Sequence, residues 1–294
     1  MKKSLFLCLA ALMVLAVSCK KDDKTDKGKY GVDGVTPMPE AVDLGLASGV
    51  KWASFNLGAS KEYEYGDYYA WGETIPFYSS LVPLQWRKRN ETDENELRYD
   101  WASYLYSDEN GDHLTKYCPK DKAGYWDATT KPNGPDGELK LLPTDDVAHV
   151  KLGGKWRMPT FADIKELLDL EEEAAKDNSD YTWENWALAT DANGDEVLDI
   201  WGNVVRGFRV TRKSTGATLF LPAAAGFYFY HFPALDNTPE TYGCSWGRYW
   251  SSSLYTDEPN RAYSLDISSS DKVRWSWVNV ARHHGYPVRP VCVE

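Results

Sequence analysis

The sequence predicts an α+β fold made mostly of antiparallel strands, and three observations carry that expectation. Apolar and polar residues alternate with period two in short runs through the second half of the chain. One stretch, residues 161–175, instead spaces its apolar residues as a helix does, behind a capping signal. Residues 85–140 break into charged and Gly/Pro-rich pieces (WRKRNETDENE, KPNGPDGE) with neither period. A period of two lays one strand face on a core, whereas a period near 3.6 lays down one helical stripe. The 294 residues allow one large domain or two small ones. With 43% hydrophobic and 26% charged residues the chain can bury a core, which excludes disorder throughout. A net charge of −11 argues against nucleic acid as a partner, since binding it requires phosphate neutralisation by Lys and Arg.

Element by element, the chain opens with Met1-Lys2-Lys3 and an apolar run from Ser4 to Val17 that ends at Ser18-Cys19. That run is short for a spanning helix, which needs about 20 apolar residues, and fits the h-region of a signal peptide. Leu15-Ala16-Val17-Ser18-Cys19 resembles a bacterial lipoprotein box, with Ala16 where Leu is usual; the resemblance implies that residues 1–18 are removed and Cys19 is acylated. Lys20-Lys21-Asp22-Asp23 resembles the Lys-acidic-acidic export tag of surface lipoproteins in the Bacteroidetes, which implies a lipid-anchored outer-membrane protein facing the cell exterior. Residues 19–39, rich in Lys, Asp, Gly, Thr and Pro, read as a flexible tether. Of the five cysteines, Cys118, Cys244 and Cys292 lie in the body; three allow one disulfide and one free thiol, and spacing assigns no pair.

The body, 40–294, reads as one domain with an insertion at about 85–140. Strands are expected at 49–57, 66–71, 181–189, 205–212 and 217–222, the last two joined by Ser214-Thr215-Gly216. A short helix is expected at 145–151, capped by Thr144 and stopped at Gly153-Gly154. In the helix from Phe161, residues Phe161, Ile164, Leu167, Leu168 and Leu170 share a face, Thr160 caps, and Asp163 holds the capping-box position. Tyr263, Leu265 and Ile267 alternate with polar residues, as do Val273, Trp275 and Trp277 after Ser269-Ser270-Asp271, which predicts a hairpin. A final strand ends at Val293, with two prolines that favour an edge or a bulge.

Six ordered blocks carry a resemblance. Glu40 to Leu46 with Val50-Lys51-Trp52-Ala53 and Asn56-Leu57-Gly58-Ala59 is followed by Tyr65 to Thr74. Then come Gly154 to Thr160, Phe220-Leu221-Pro222-Ala223-Ala224, Tyr249-Trp250-Ser251-Ser252-Ser253 and Val288-Arg289-Pro290-Val291. Together they resemble the Fibrobacter succinogenes major paralogous domain, which is found among lipoproteins of gut Bacteroidetes. That family is similar to the C-type-lectin-like fold, in its formylglycine-generating-enzyme branch. The resemblance implies a curled antiparallel sheet, one or two helices and long loops, and it implies no particular chemistry.

Motifs that could carry chemistry each meet a plainer reading. Gly243-Cys244-Ser245-Trp246-Gly247 fits G-x-S-x-G, and Asp266 and His283 follow in hydrolase order. The strand-to-helix elbow that such a serine needs is not there, because the strand-like RYWSSS comes next. Glu258-Pro259-Asn260 matches a sugar-and-calcium tripeptide of mannose-type lectins. Calcium wants six to eight oxygens, and Arg274-Trp275-Ser276-Trp277 adds no carboxylate, so a turn is the better reading. Asp-x-Asn-Gly-Asp occurs at 108–112 and 191–195. With Asp199, the second copy (Asp191, Asn193, Asp195) is the better candidate for weak calcium, but Glu196 stands where a glycine is usual and Gly202 where a bidentate Glu is. Asn-Gly-Asp is equally turn chemistry. His283-His284 has no metal-ligand spacing, and Glu62, Glu64 and Asp67 are carboxylates without a visible catalytic distance.

The aromatics are the stronger signal: 13 Trp, 19 Tyr and 9 Phe. Trp52, Trp71, Trp156, Trp250, Trp275 and Trp277 fall on strand patterns and read as core. Trp86, Trp101, Trp126, Trp246, Tyr228, Tyr230 and Phe232 fall on loop-like stretches, where flat rings can stack on sugars or pack against a protein. The functional expectation is a non-catalytic surface lipoprotein binding a glycan or a partner protein through those seven rings. It needs no cofactor unless calcium sits weakly at 191–199. A hydrolase of surface glycans or peptides is the alternative.

Overall fold

A computed structural model describes residues 28–76, 99–108, 112–199, 202–226, 246–268 and 280–293, and the backbone of 78–79 and 274–276. It is α+β. Its elements are β1 (Ala41–Val42), β2 (Lys51–Ala53), β3 (Asp67–Tyr68), β4 (Tyr78–Ser79), α1 (Val147–Leu152), β5 (Trp156–Arg157) and α2 (Phe161–Ala174). After these come β6 (Tyr181–Leu188), β7 (Arg206–Arg212), β8 (Thr218–Pro222), β9 (Trp246–Leu254), β10 (Ala262–Ser268), β11 (Arg274–Ser276) and β12 (Val291–Cys292). Paired strands run antiparallel in sheets ordered β1-β2-β12-β5, β11-β10-β9, β6-β7-β8 and β3-β4. The first sheet joins the two ends of the body, for Val291 lies between Trp52 and Arg157.

Local chemistry accounts for the regular elements. Thr160 Oγ1 accepts from the Asp163 N–H, and Asp163 Oδ2 accepts from the Thr160 N–H at 2.6 Å, so the expected capping box forms. Arg157 adds a two-armed bond to the same carboxylate, at 2.6 and 3.2 Å. The α2 stripe Ile164, Leu167 and Leu170 is buried. The hairpin β7–β8 turns through Gly216 at φ 74, where an L side chain would be strained. Strand β6 is bulged between Glu184 and Ala187, with Trp186 at φ 61, which its sequence pattern did not show.

Three expectations need correction. Helix α1 is capped by Asp146, not Thr144: Asp146 Oδ1 accepts from His149 N at 3.1 Å, and the same carboxylate also takes the Met158 N–H. One carboxylate thus caps α1 and ties it to the strand that follows. The stretch read as tether is folded from residue 28 onward. Gly31 and Thr36 pair at 2.8 Å, and Asp33 reaches Lys151 through its amide (3.3 Å) and its carboxylate (3.8 Å). A Cβ on Gly31 would lie 2.2 Å from the Lys151 carbonyl, so this clasp sits directly on α1. Finally, the described part of the 85–140 insertion supplies core residues: Tyr99, Tyr104, Leu114, Tyr117 and Cys118 are buried, while most of 120–140 stays exposed.

The insertion is held by Arg282, which is fully buried. Its Nε donates to Tyr104 Oη at 2.8 Å, Nη1 to the carbonyls of Tyr117 and Pro259, and Nη2 to that of Lys116 at 3.0 Å; its plane lies 4.8 Å from the Trp71 ring. A buried guanidinium is tolerated because its donors are met. Arg289 does the same at the other end, donating to Asn56 Oδ1 at 2.7 Å and to the Ala53 carbonyl at 3.0 Å; burial pulls its pKa down to about 10. The six ordered sequence blocks interlock in this way. Trp71 Nε1 donates to Ser251 O, Trp250 Nε1 to Tyr69 O, Tyr68 Oη to Ala224 O and the Ser252 amide to Pro159 O. They are the frame of the fold.

Candidate functional site

Outside that frame, a continuous strip of rings and charge crosses β9 and the segment before β12. Trp101, half-buried, packs on His283 at 4.4 Å between ring centroids, and His283 meets His284 edge-on at 4.4 Å. His284 Nδ1 lies 3.1 Å from Tyr286 Oη. Arg248 Nη1 donates to that same hydroxyl at 3.3 Å, its guanidinium lies 5.4 Å from the Trp246 ring, and its Nε donates to Asp266 Oδ1 at 2.7 Å. Trp246, Arg248, Asp266 and His284 are half-buried, whereas Tyr286 is fully buried and packs on Trp250 at 4.8 Å. The strip is positioned by glycines that leave no room for a side chain: a Cβ on Gly226 would fall 2.1 Å from Tyr286 Cε1, and one on Gly285 2.6 Å from Tyr99 Cζ.

The electrostatics keep both histidines neutral. Burial lowers His283 to about 4, and burial, then His283 and Arg248, lower His284 to about 2. A neutral His284 can accept the Tyr286 proton at Nδ1 while Tyr286 accepts from Arg248, so the chain of bonds is self-consistent. Among the described residues, the buried His283 Nδ1 has no hydrogen-bond partner. In a hydrolase triad that atom holds the aspartate. Here Asp266 instead grips Arg248.

The predicted site residues fare differently. Trp101 and Trp246 stand at the two ends of the strip. Trp126 is buried, with Nε1 donating to Lys131 O at 2.8 Å, so it is a core ring and not a displayed one. Trp86, Tyr228, Tyr230, Phe232, Cys19, Ser245 and Cys244 lie outside the described residues. Cys118 and Cys292 are in no disulfide, and burial pushes the Cys118 thiol up to about 11.

At 191–199, Asp191 Oδ1 accepts from the amides of Asn193 and Asp195, at 2.8 and 2.9 Å. Asp199 accepts from Asn203 N at 2.9 Å and from Tyr65 Oη at 3.3 Å. Apart from the Tyr65 contact these are turn bonds, and among the described residues no three His, Cys, Asp or Glu side chains are grouped to hold a metal. Glu258-Pro259-Asn260 is likewise a turn, with Glu258 paired to Arg261 at 2.8 Å and Pro259 O bound by Arg282. Glu64 caps the Ser60 and Lys61 amides, and Asp67 accepts from Tyr69 Oη at 3.0 Å.

Sequence reasoning missed Arg248 and Tyr286 and gave His283-His284 no role. The adjacent histidine pair was the available signal, since the links that close the strip, Trp101 to His283 and Arg248 to Tyr286, join residues far apart in the chain. No family model matches the chain, and comparison with curated proteins and with solved structures likewise gives no match.

Proposed function

We propose that the chain is a surface lipoprotein, anchored at Cys19, whose C-type-lectin-like domain binds glycan through the strip from Trp101 to Trp246 without catalysing a reaction. The observation that carries this reading is the strip itself. Two half-buried indole rings are joined by His283, His284, Tyr286 and Arg248, on a scaffold whose buried arginines fix the backbone. Indole faces take the C–H face of a pyranose. The fold assignment rests on the six blocks and on the α+β, antiparallel architecture.

A glycan-array screen of the chain from residue 20 tests the binding. Trp246→Ala and Trp101→Ala should each lose the signal of any glycan bound by wild type, and retention in both would remove the strip from consideration. For the anchor, Cys19→Ala should release the protein from the membrane fraction; a variant that remains membrane-bound as firmly as wild type would refute acylation there.

A further inference from the structure

The charge of the chain is locally reversed at a cavity of about 200 Å³ between α1, the edge strand β5 and residues 140–143. Lys140, Lys155, Arg157 and His149 line it, with Asp146 as the acid in the lining, in a protein carrying 44 Asp+Glu against 33 Lys+Arg. Asp146 is turned inward. Its two oxygens accept from the amides of His149 and Met158 at 2.9–3.1 Å, so it offers little to a ligand. Arg157 is engaged by Asp163 at 2.6 Å. Lys140 and Lys155 are exposed and take part in no ion pair among the described residues. His149 Nδ1 lies 3.3 Å from the Trp156 carbonyl and must donate to it, which leaves Nε2 for a polar group of a ligand. The rest of the wall is carbon, from Trp156, Leu141 and Pro143.

Two free ammonium groups over an apolar wall select a ligand with a negative end and a carbon body. The volume falls below the roughly 300–1,000 Å³ of sites for drug-sized ligands, so the ligand is small. We infer that this cavity binds a small organic oxyanion, a carboxylate or sulfate ester of about one sugar unit, with Lys140 and Lys155 pairing with its charge and Trp156 and Pro143 meeting its body. The cavity shares no residue with the aromatic strip, so the inference stands apart from the glycan reading.

Calorimetric titration of the full chain with glucuronate, a monosulfated glucose and inorganic sulfate at low ionic strength tests it. At least one organic anion should bind saturably, with a dissociation constant at or below about 1 mM, and more tightly than inorganic sulfate. The double variant Lys140→Gln/Lys155→Gln should weaken that binding at least about tenfold, a change of about 1.4 kcal/mol. Lys165→Gln/Lys176→Gln alters the net charge equally, at exposed pairs with Asp169 and Glu173, and should leave binding unchanged. Equal weakening in both double variants, inorganic sulfate binding as tightly as the organic anions, or no saturable binding of any of the three would overturn the assignment.

Discussion

Replacing Arg282 by Met removes the pin between the insertion and the C-terminal segment while nearly conserving volume. The side chain is fully buried and makes four hydrogen bonds, to Tyr104 Oη, Tyr117 O, Pro259 O and Lys116 O, at 2.8–3.2 Å. Its plane also lies within 6 Å of the rings of Trp71, Tyr104 and Tyr117. Each buried acceptor left unmet costs about 1–3 kcal/mol, and a desolvated cation–π contact is worth about 2 kcal/mol. Against this, Met avoids burying a charge, which relieves several kcal/mol. The losses exceed the relief by about 3 kcal/mol. Arg282→Lys keeps the charge but cannot span four acceptors with one ammonium, and should lose about 2 kcal/mol. Urea unfolding should show a lower midpoint at unchanged slope, with hydrogen exchange accelerated first at 104–117. A loss below about 1 kcal/mol, or uniform acceleration across the sheets, would refute the pin.

Acid sensitivity follows from the histidines. Both have folded pKa values below the unfolded 6.5, so the unfolded chain takes up their protons first. The stability that their neutral forms contribute is complete above pH 6.5 and is lost as pH falls, down to about 4 for His283 and on to about 2 for His284. At about 1.4 kcal/mol per unit, His283 should contribute about 3 kcal/mol of that loss by pH 4; His283→Gln should flatten the stability profile between pH 6.5 and 4, and an unchanged slope would contradict its burial. Gly226→Ala places a methyl group 2.1 Å from the Tyr286 ring and should cost about 1–3 kcal/mol, with loss of any strip ligand, read by thermal unfolding and by binding. Asp163→Ala removes the α2 capping box and the Arg157 pair together, and should cost about 2–4 kcal/mol in urea unfolding.

What was legible in the sequence is what repeats locally. The α2 stripe and its capping box, the β7–β8 hairpin and the alternation in β10 all depend on neighbours within a few residues, and all formed. Tyr104 and Tyr117 gave no period because they pack against Trp71 and Arg282, partners distant in the chain, and a core built that way reads as loop. The clasp at 28–38 has the composition of a tether, and only Gly31 against the Lys151 carbonyl shows why a glycine-rich stretch can dock. Of the strip, the indoles at its ends were visible as unassigned aromatics. The links through His284, Tyr286 and Arg248 bring residue 101 to residue 283 and residue 248 to residue 286, and no spacing rule reaches that far.

The central claim, that the strip binds and does not catalyse, is tested most directly by titrating one array-selected glycan into wild type, Trp246→Ala and Ser245→Ala while following the intact glycan by mass spectrometry. The account predicts affinity at least about tenfold weaker in Trp246→Ala, equivalent to about 1.4 kcal/mol. It also predicts unchanged affinity in Ser245→Ala and no breakdown of the glycan in any sample. Unchanged affinity in Trp246→Ala, or hydrolysis by wild type that Ser245→Ala abolishes, would contradict it.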